Sequence, residues 1–284
     1  MDLIYLKFND NLKIYIPSSD SNDNMYGSKN VQDELRNNKI WSKEETSLFI
    51  DILSNNKTNN GINDENIVID VGSNTGYFTL ISLFYDYNTI AIEPNQVYKK
   101  YIDKSLEINN FNKTKLRYYE NFASDSEKEI LFDGWSGVES MMAYNNKYYV
   151  KTVSIDNICD KNVLLLKIDV EGGEPSVFRS VNNLINNKKI KYIIFELTYI
   201  IKNKLIQEQI DMLPYLKFNN YDLFEIVDNK IIHIKNIRDR VNYWIKEYET
   251  NHLVKNPKLI DLYAGTNILA VQKGNRIPNP SLFS

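Results

Sequence analysis

Two stretches of this sequence carry residues whose types and spacing suit chemistry. In LLLKIDVEGGEP (164–175) an apolar run leads into Lys167, Asp169, Glu171 and Glu174. Burying charge is costly unless the groups are paired or used. Successive strand residues alternate faces, so Lys167 and Asp169 share one, and Glu171 joins them if the strand runs that far. A carboxylate there can accept a proton from a neighbour within hydrogen-bond reach, with Asp169 first and Glu171 second. Two carboxylates separated by one residue can also hold a divalent metal, although without nearby histidines or a third assured ligand this reading is not favoured. The structural alternative is an ion pair of Lys167 with Asp169, and Lys167 stays open between the two roles. Glu174 directly precedes Pro175, a common first helical residue, and is assigned to the helix cap.

In the second stretch, VIDVGSNTGYFTL (68–80), Asp70 precedes a turn from Gly72 to Gly76 that opens a helix. Glycines let a backbone approach a ligand closely, and free amides at a helix start favour an anionic group. The spacing is not GxGxxG, which argues against a pyrophosphate cofactor. Glu93 in AIEPN (91–95) lies about 20 residues beyond the turn, where an acid commonly bonds both hydroxyls of a ribose. The turn and the acid together indicate a nucleoside ligand.

Positioning such groups requires strands that end side by side. NIVIDVG (66–72), TIAIEPN (89–95), LRYYENFAS (116–124), VLLLKIDV (163–170) and KYIIFEL (191–197) read as strands. Between them, TGYFTLISLFYD, QVYKKYIDKSLEINN and PSVFRSVNNLI have helical periodicity. This alternation implies an α/β protein with a mainly parallel sheet covered on both faces. The N-terminal MDLIYLKFNDNLKIYI reads as a β-hairpin and SSDSNDNMYGSKN (18–30) as a loop. Ser42 followed by Glu45 resembles a capping box for a short helix with Leu48, Phe49 and Ile52 on its apolar stripe. Near the C-terminus come the helix LIQEQIDMLPYL, the strands YDLFEIV and KIIHI, a helical insertion and a closing strand TNILAVQ. One domain is expected over 1–284, with a hairpin and loop at 1–40, a cofactor-binding core at 41–200, and a C-terminal part at 201–284 that holds the insertion at 230–262.

The motifs VIDVGSNTGYFTL, AIEPN, LLLKIDVEGGEPSVF and IIFEL, in that order, resemble those of the FkbM-type methyltransferases that use S-adenosylmethionine. The resemblance runs over about 41–197, with KIDVEG its most specific block. It implies a Rossmann-like class I methyltransferase fold, with a mostly parallel seven-stranded sheet whose last strand is antiparallel, and O-methylation of sugars, glycans or secondary metabolites. Residue by residue, it implies that Asp70, Gly72, Ser73, Asn74 and Gly76 hold the methionine part of the cofactor and Glu93 its ribose, with Tyr77, Pro94 and Asn95 also among the cofactor-binding residues. Phe122, Ala123 and Ser124 would lie along the adenine, with Asp125 matching an acid usual in that place. With the family's strand order, Asp70, Asp169 and Glu196 converge at the carboxyl edge of the sheet, Asp169 contacting cofactor and taking the hydroxyl proton.

Composition bounds the alternatives. The 284 residues are 43% hydrophobic and 25% charged, an ordinary globular balance. A net charge of −3 argues against a protein that binds nucleic acid mainly by neutralising phosphates. Methylation of an RNA cap or ribose remains the second reading, through a patch of Lys188, Lys189, Lys191, Lys202 and Lys204, and a non-catalytic cofactor-binding scaffold the third. The lone Cys159 leaves no intramolecular disulfide, and His233 and His252 are too isolated for a metal site. With no secretory pattern and no apolar run near the roughly 20 residues of a membrane span, a cytoplasmic protein is expected. Trp135, in the Gly-containing stretch at 133–142, could stack on an acceptor, whereas Tyr243, Trp244 and Tyr248 have helical spacing and read as core or interface.

Overall fold

The structure, a computed structural model, describes residues 1–9, 11–21, 26–56, 66–132, 148–201, 204–250 and 263–280. Trp135 and its stretch at 133–142, Lys202, His252 and residues 251–262 of the expected insertion lie outside them.

The N-terminal strands β1 (Asp2–Tyr5) and β2 (Lys13–Ile16) pair antiparallel as the expected hairpin. Helix α1 (Tyr26–Asn38) then begins inside the stretch read as loop. Its polar sequence hides a short inward face of Gln32 and Leu35, and Arg36 ties it to the hairpin by bonding Asp2 (2.9 Å) and the Pro17 carbonyl. In α2 (Lys43–Asn55) the stripe of Leu48, Phe49 and Ile52 is fully buried, but the capping box is absent. Ser42 is left-handed and makes no side-chain cap bond, and Glu45 turns inward instead.

The strand–helix alternation follows: β3 (Asn66–Val71), α3 (Tyr77–Phe84), β4 (Asn88–Ile92), α4 (Lys99–Ile108) and β5 (Leu116–Tyr119). Strands β6 (Phe122–Ala123), β7 (Glu129–Phe132) and β8 (Tyr148–Val153) form a small separate sheet, in which β8 is an element the sequence reading missed. After α5 (Ile155–Ile158) comes the charged strand β9 (Asn162–Ile168). The single helix expected over PSVFRSVNNLI is two, α6 (Glu174–Ser180) and α7 (Asn182–Asn186), broken where Val181 leaves helical geometry. The chain closes with β10 (Ile190–Ile201), β11 (Lys204–Leu205), α8 (Gln207–Phe218), β12 (Tyr221–Val227), β13 (Lys230–His233), α9 (Ile237–Tyr248) and β14 (Tyr263–Gln272).

The large sheet has the order β13-β12-β14-β10-β9-β3-β4-β5, with β11 added at β10. Strands β5, β4, β3, β9 and β10 run parallel. The last strand, β14, inserts antiparallel between β10 and β12. This is the sheet that the resemblance implies, seven strands with the last antiparallel, extended by the edge strand β13. Strand alternation builds two cores: Ile67, Ile69 and Val71 of β3 face α5–α9, whereas Val68 faces the hairpin and α1–α4. Fully burying one such side chain stabilises the fold by about 1.5–3 kcal/mol. Trp244 stacks on Tyr199 at 5.5 Å and, with Tyr248, belongs to the core rather than to a binding face. Among the described residues no helix is long and apolar enough to cross a membrane.

Candidate active site

The carboxyl ends of β3, β4, β9 and β10 open into one cleft of about 900 Å³, the place where open α/β sheets bind ligands. Its first wall is the turn after β3, which passes through positive φ at Gly72 (79°), Asn74 (51°) and Gly76 (89°). Only glycine fits at 72: a Cβ there would lie 1.8 Å from the Asp169 carbonyl oxygen. At that crossing the Asp169 amide donates to the Val71 carbonyl (2.9 Å), stitching the ends of β3 and β9 together. At 76 a Cβ would meet the Ile102 side chain at 2.8 Å.

The turn's amides are not free for an anion, contrary to the expectation from its glycines. Gly72 and Ser73 donate to the Ile92 carbonyl, Gly76 to the Ser73 carbonyl, Thr75 to Asn74 Oδ1 and Asn74 to Glu93. What the turn offers instead is side chains. The hydroxyls of Ser73 and Thr75 are buried along the cleft with no hydrogen-bond partner among the described residues. Asp70 accepts from the Thr79 hydroxyl at 2.6 Å, and burial pushes its carboxyl up to about 6.

Glu93 spans two loops. One carboxylate oxygen accepts the Asn74 amide and the other the Asn95 amide, both at 2.8 Å. Each oxygen keeps a further lone pair. Burial raises its carboxyl to about 7 against the pull of those amides. Pro94 and Asn95 line the cleft beside it, and Asn95 Oδ1 accepts from the Val97 amide (3.1 Å), shaping the turn that follows. Tyr77 also lines the wall, its buried hydroxyl 3.2 Å from that of Thr46.

Phe122, Ala123 and Ser124 form the opposite wall. The Ser124 hydroxyl lies 3.1 Å from that of Ser176. Asp125 follows them, its Oδ1 accepting from the Ser124 hydroxyl at 3.3 Å, and it also pairs with Arg179 at 3.5 Å and lines a separate groove against α6 and α8.

The β9 side is built from charge. Lys167 is 1% exposed and bridges Glu45 of α2 (3.0 Å) and Asp169 (3.3 Å) over the ring of Phe78. Burial alone would lower its pKa, but Asp169, Glu45 and Asp70 outweigh that and hold it above the usual lysine value. Lys167 and Asp169 therefore share a face, as alternation predicts. Glu171 does not join them, because β9 ends at Ile168 and Glu171 sits exposed in the turn with φ 54°. Glu174 is buried and accepts from the amides of Val170 (3.3 Å) and Gly172 (3.1 Å) and from Gln209 (2.7 Å), closing the turn before α6. Glu196 lines the cleft from β10, so Asp70, Asp169 and Glu196 do converge.

Sequence reasoning missed the far end of the cleft, where Val31, Glu34, Trp41, Lys43 and Glu44 of the α1–α2 segment and Thr198 and Asn267 of the sheet complete its lining. The run WSKEE (41–45) signals a helix start and little else. Among the described lining residues, the acids Glu34, Glu44, Glu45, Asp70, Glu93, Asp169, Glu171 and Glu196 face a single basic residue, Lys43. No cluster of three metal-ligating side chains assembles among the described residues.

The methyltransferase FkbM domain family matches residues 70–223, from the end of β3 into β12. No curated protein matches the sequence. Among solved structures, the chain is similar to the methyltransferase FkbM from Methylobacillus flagellatus KT, at 16% identity and a TM-score of 0.42, over 57% of this chain and 40% of that one. It thus spans well under half the length of that structure. It is also similar to an rRNA methylase from Streptococcus thermophilus, at 8% identity and a TM-score of 0.42, over 82% of this chain and 98% of that one. A precorrin-6y C5,15-methyltransferase from Geobacter metallireducens GS-15 is similar at 11% identity and a TM-score of 0.36, over 78% of this chain and 84% of that one.

Proposed function

The chain belongs to the FkbM methyltransferase family, and from that premise we propose that it moves the methyl group of S-adenosylmethionine to a hydroxyl of a sugar, glycan or related small molecule. The observation that carries this reading is the pairing, in one cleft, of Glu93 with the turn from Gly72 to Gly76. The residues present fit the cofactor. The two lone pairs left on Glu93 suit the two hydroxyls of a ribose, and the unpartnered hydroxyl of Ser73 is available to the amino-acid end beside Asp70 and Asn74. Tyr77, Pro94 and Asn95 shape that pocket, and Phe122, Ala123 and Ser124 flank the adenine. When bound, S-adenosylmethionine supplies a methyl group on a cationic sulfur open to in-line displacement. Much of the acceleration then comes from positioning, which is worth effective molarities of about 10⁵ M or more. Asp169, held by Lys167, adds negative charge beside the cation's place.

The excess of carboxylates over the single Lys43 supports an acceptor without phosphates, since a polyanion would be repelled from such a cleft. Trp41, at the far end, offers a ring for a sugar face. The test is calorimetry with S-adenosylmethionine, in which Glu93→Ala should weaken binding about tenfold to a hundredfold, the loss of hydrogen bonds to a charged group. Unchanged affinity would remove the ribose assignment. Screening unphosphorylated sugars and glycans for production of S-adenosylhomocysteine then identifies the acceptor, and turnover on RNA alone would overturn this acceptor class.

A further inference from the structure

Resting on that reading, we infer that Glu196, at the carboxyl end of β10, is the group that takes the proton of the acceptor hydroxyl. Asp169 is the carboxylate that strand alternation singles out, but it lies 3.3 Å from the ammonium of Lys167, which Glu45 holds in place. An oxygen already engaged by an ammonium has one lone pair fewer to offer an incoming hydroxyl than an unpartnered carboxylate. Glu171 sits exposed in the turn. Glu196 differs from both: it lines the cleft, and among the described residues it accepts no hydrogen bond and forms no ion pair. The fold makes room for it, because a Cβ on Gly265 of β14 would lie 2.9 Å from its Oε1.

The charged groups facing Glu196 are Lys167 and Asp169 on β9, Glu171 in the turn after it, and Glu174 on α6, while Gly265 and Asn267 of β14 are neutral. Burial first, then the three acids, push its carboxyl up to about 9, with Lys167 opposing. At neutral pH it therefore holds a proton, and a cation brought beside it favours its ionised form. The sulfonium that delivers the methyl group thus frees the carboxylate that the reaction needs. In the transfer, the hydroxyl proton passes to a Glu196 oxygen as the hydroxyl oxygen bonds the methyl carbon. The carbon–sulfur bond breaks with its electron pair left on sulfur, so one carboxylate and one cation become a neutral acid and a neutral thioether.

The test is proton release on binding of S-adenosylmethionine, measured by calorimetry at pH 8 in buffers of different ionisation enthalpy. At that pH Asp70 and Glu93, pushed up to about 6 and 7, are already largely ionised. The wild-type protein should release up to about one proton more per bound cofactor than E196Q, a comparison in which the cofactor's own titration cancels. E196D, which keeps the carboxyl, should recover the release, and thermal unfolding checks that both variants fold. Equal release by wild type and E196Q would overturn the inference while leaving the methyltransferase reading intact. Failure of the wild-type protein to bind S-adenosylmethionine would overturn both. With an acceptor in hand, E196Q should lower turnover at saturating cofactor by about 10²-fold or more, over and above the weaker cofactor binding that loss of the linked carboxylate brings, and wild-type turnover would sink the assignment.

Discussion

The two halves of the cleft hold their carboxylates in opposite ways. On the β3–β4 side Asp70 and Glu93 are tied by hydrogen bonds from Thr79, Asn74 and Asn95, so these acids also fix the loops around them. On the β9–β10 side the acids are governed by charge: Asp169 leans on one buried lysine and Glu196 on nothing but its surroundings. A hydrogen-bonded carboxylate fixes geometry, whereas one held by a field keeps a protonation state that an arriving cation can change. The first half is built to recognise a constant ligand and the second to respond to one.

The seam between the halves is where that division breaks most easily. Gly72→Ala places a methyl against the Asp169 carbonyl at a φ of 79°, where backbone on both sides must move. Its cost should exceed about 4 kcal/mol in denaturant unfolding, or abolish soluble protein. Gly76→Ala, at a φ of 89°, meets a side chain and not backbone, Ile102 Cγ1 at 2.8 Å, and should cost about 1–3 kcal/mol. A reversed order would show that the crossing of β3 and β9 does not join the halves.

Lys167→Met attacks the charged half alone. It leaves Glu45 buried without its cation, a loss of about 3–5 kcal/mol that a second change, Glu45→Leu, should largely recover. Additive losses in the double variant would mean that Glu45 has no need of Lys167. Stability should also depend on pH in a direction fixed by the acids. Asp70, Glu93 and Glu196 bind protons more tightly folded than unfolded, with carboxyls raised to about 6, 7 and 9. Their contribution is full at low pH and is lost as pH rises through those values. Melting temperature without ligand should fall between pH 5 and about 9, and E196Q should lessen the fall throughout that range and leave the curve nearly flat above about pH 7. A curve unchanged by E196Q would place that titration elsewhere.

The hydrogen-bonded half was also the legible one. Gly72, Gly76 and Glu93 obey local rules of turn geometry and spacing after a strand, which a short window of sequence contains. The sheet was legible for the same reason, since β-branched runs and helical stripes repeat along the chain. The charged half depends on contacts far apart in sequence. Nothing local links Lys167 to Glu45, and alternation could pair Lys167 with Asp169 without revealing what else the lysine holds. Glu196 could be brought to the edge by strand order, but the room its carboxylate has there depends on a glycine in β14. Helix α1 escaped because its composition is that of a loop and its inward face is short, and β8 because it joins a small sheet outside the repeating pattern.

Glu45 gives the finest test of which half a residue serves. A capping box would make Ser42 and Glu45 partners at the start of α2, and Ser42→Ala would then cost about 1 kcal/mol. In the structure Ser42 makes no side-chain cap bond and Glu45 reaches Lys167. Ser42→Ala should therefore change unfolding free energy by less than about 0.5 kcal/mol. Glu45→Gln should cost more, because the amide cannot neutralise the buried ammonium. It should also lower the pKa of Lys167, which then keeps Asp169 as an ion-pair partner and Asp70 as a more distant charge. A cost for Ser42→Ala equal to that of Glu45→Gln would return Glu45 to the helix cap and detach α2 from the charged half of the cleft.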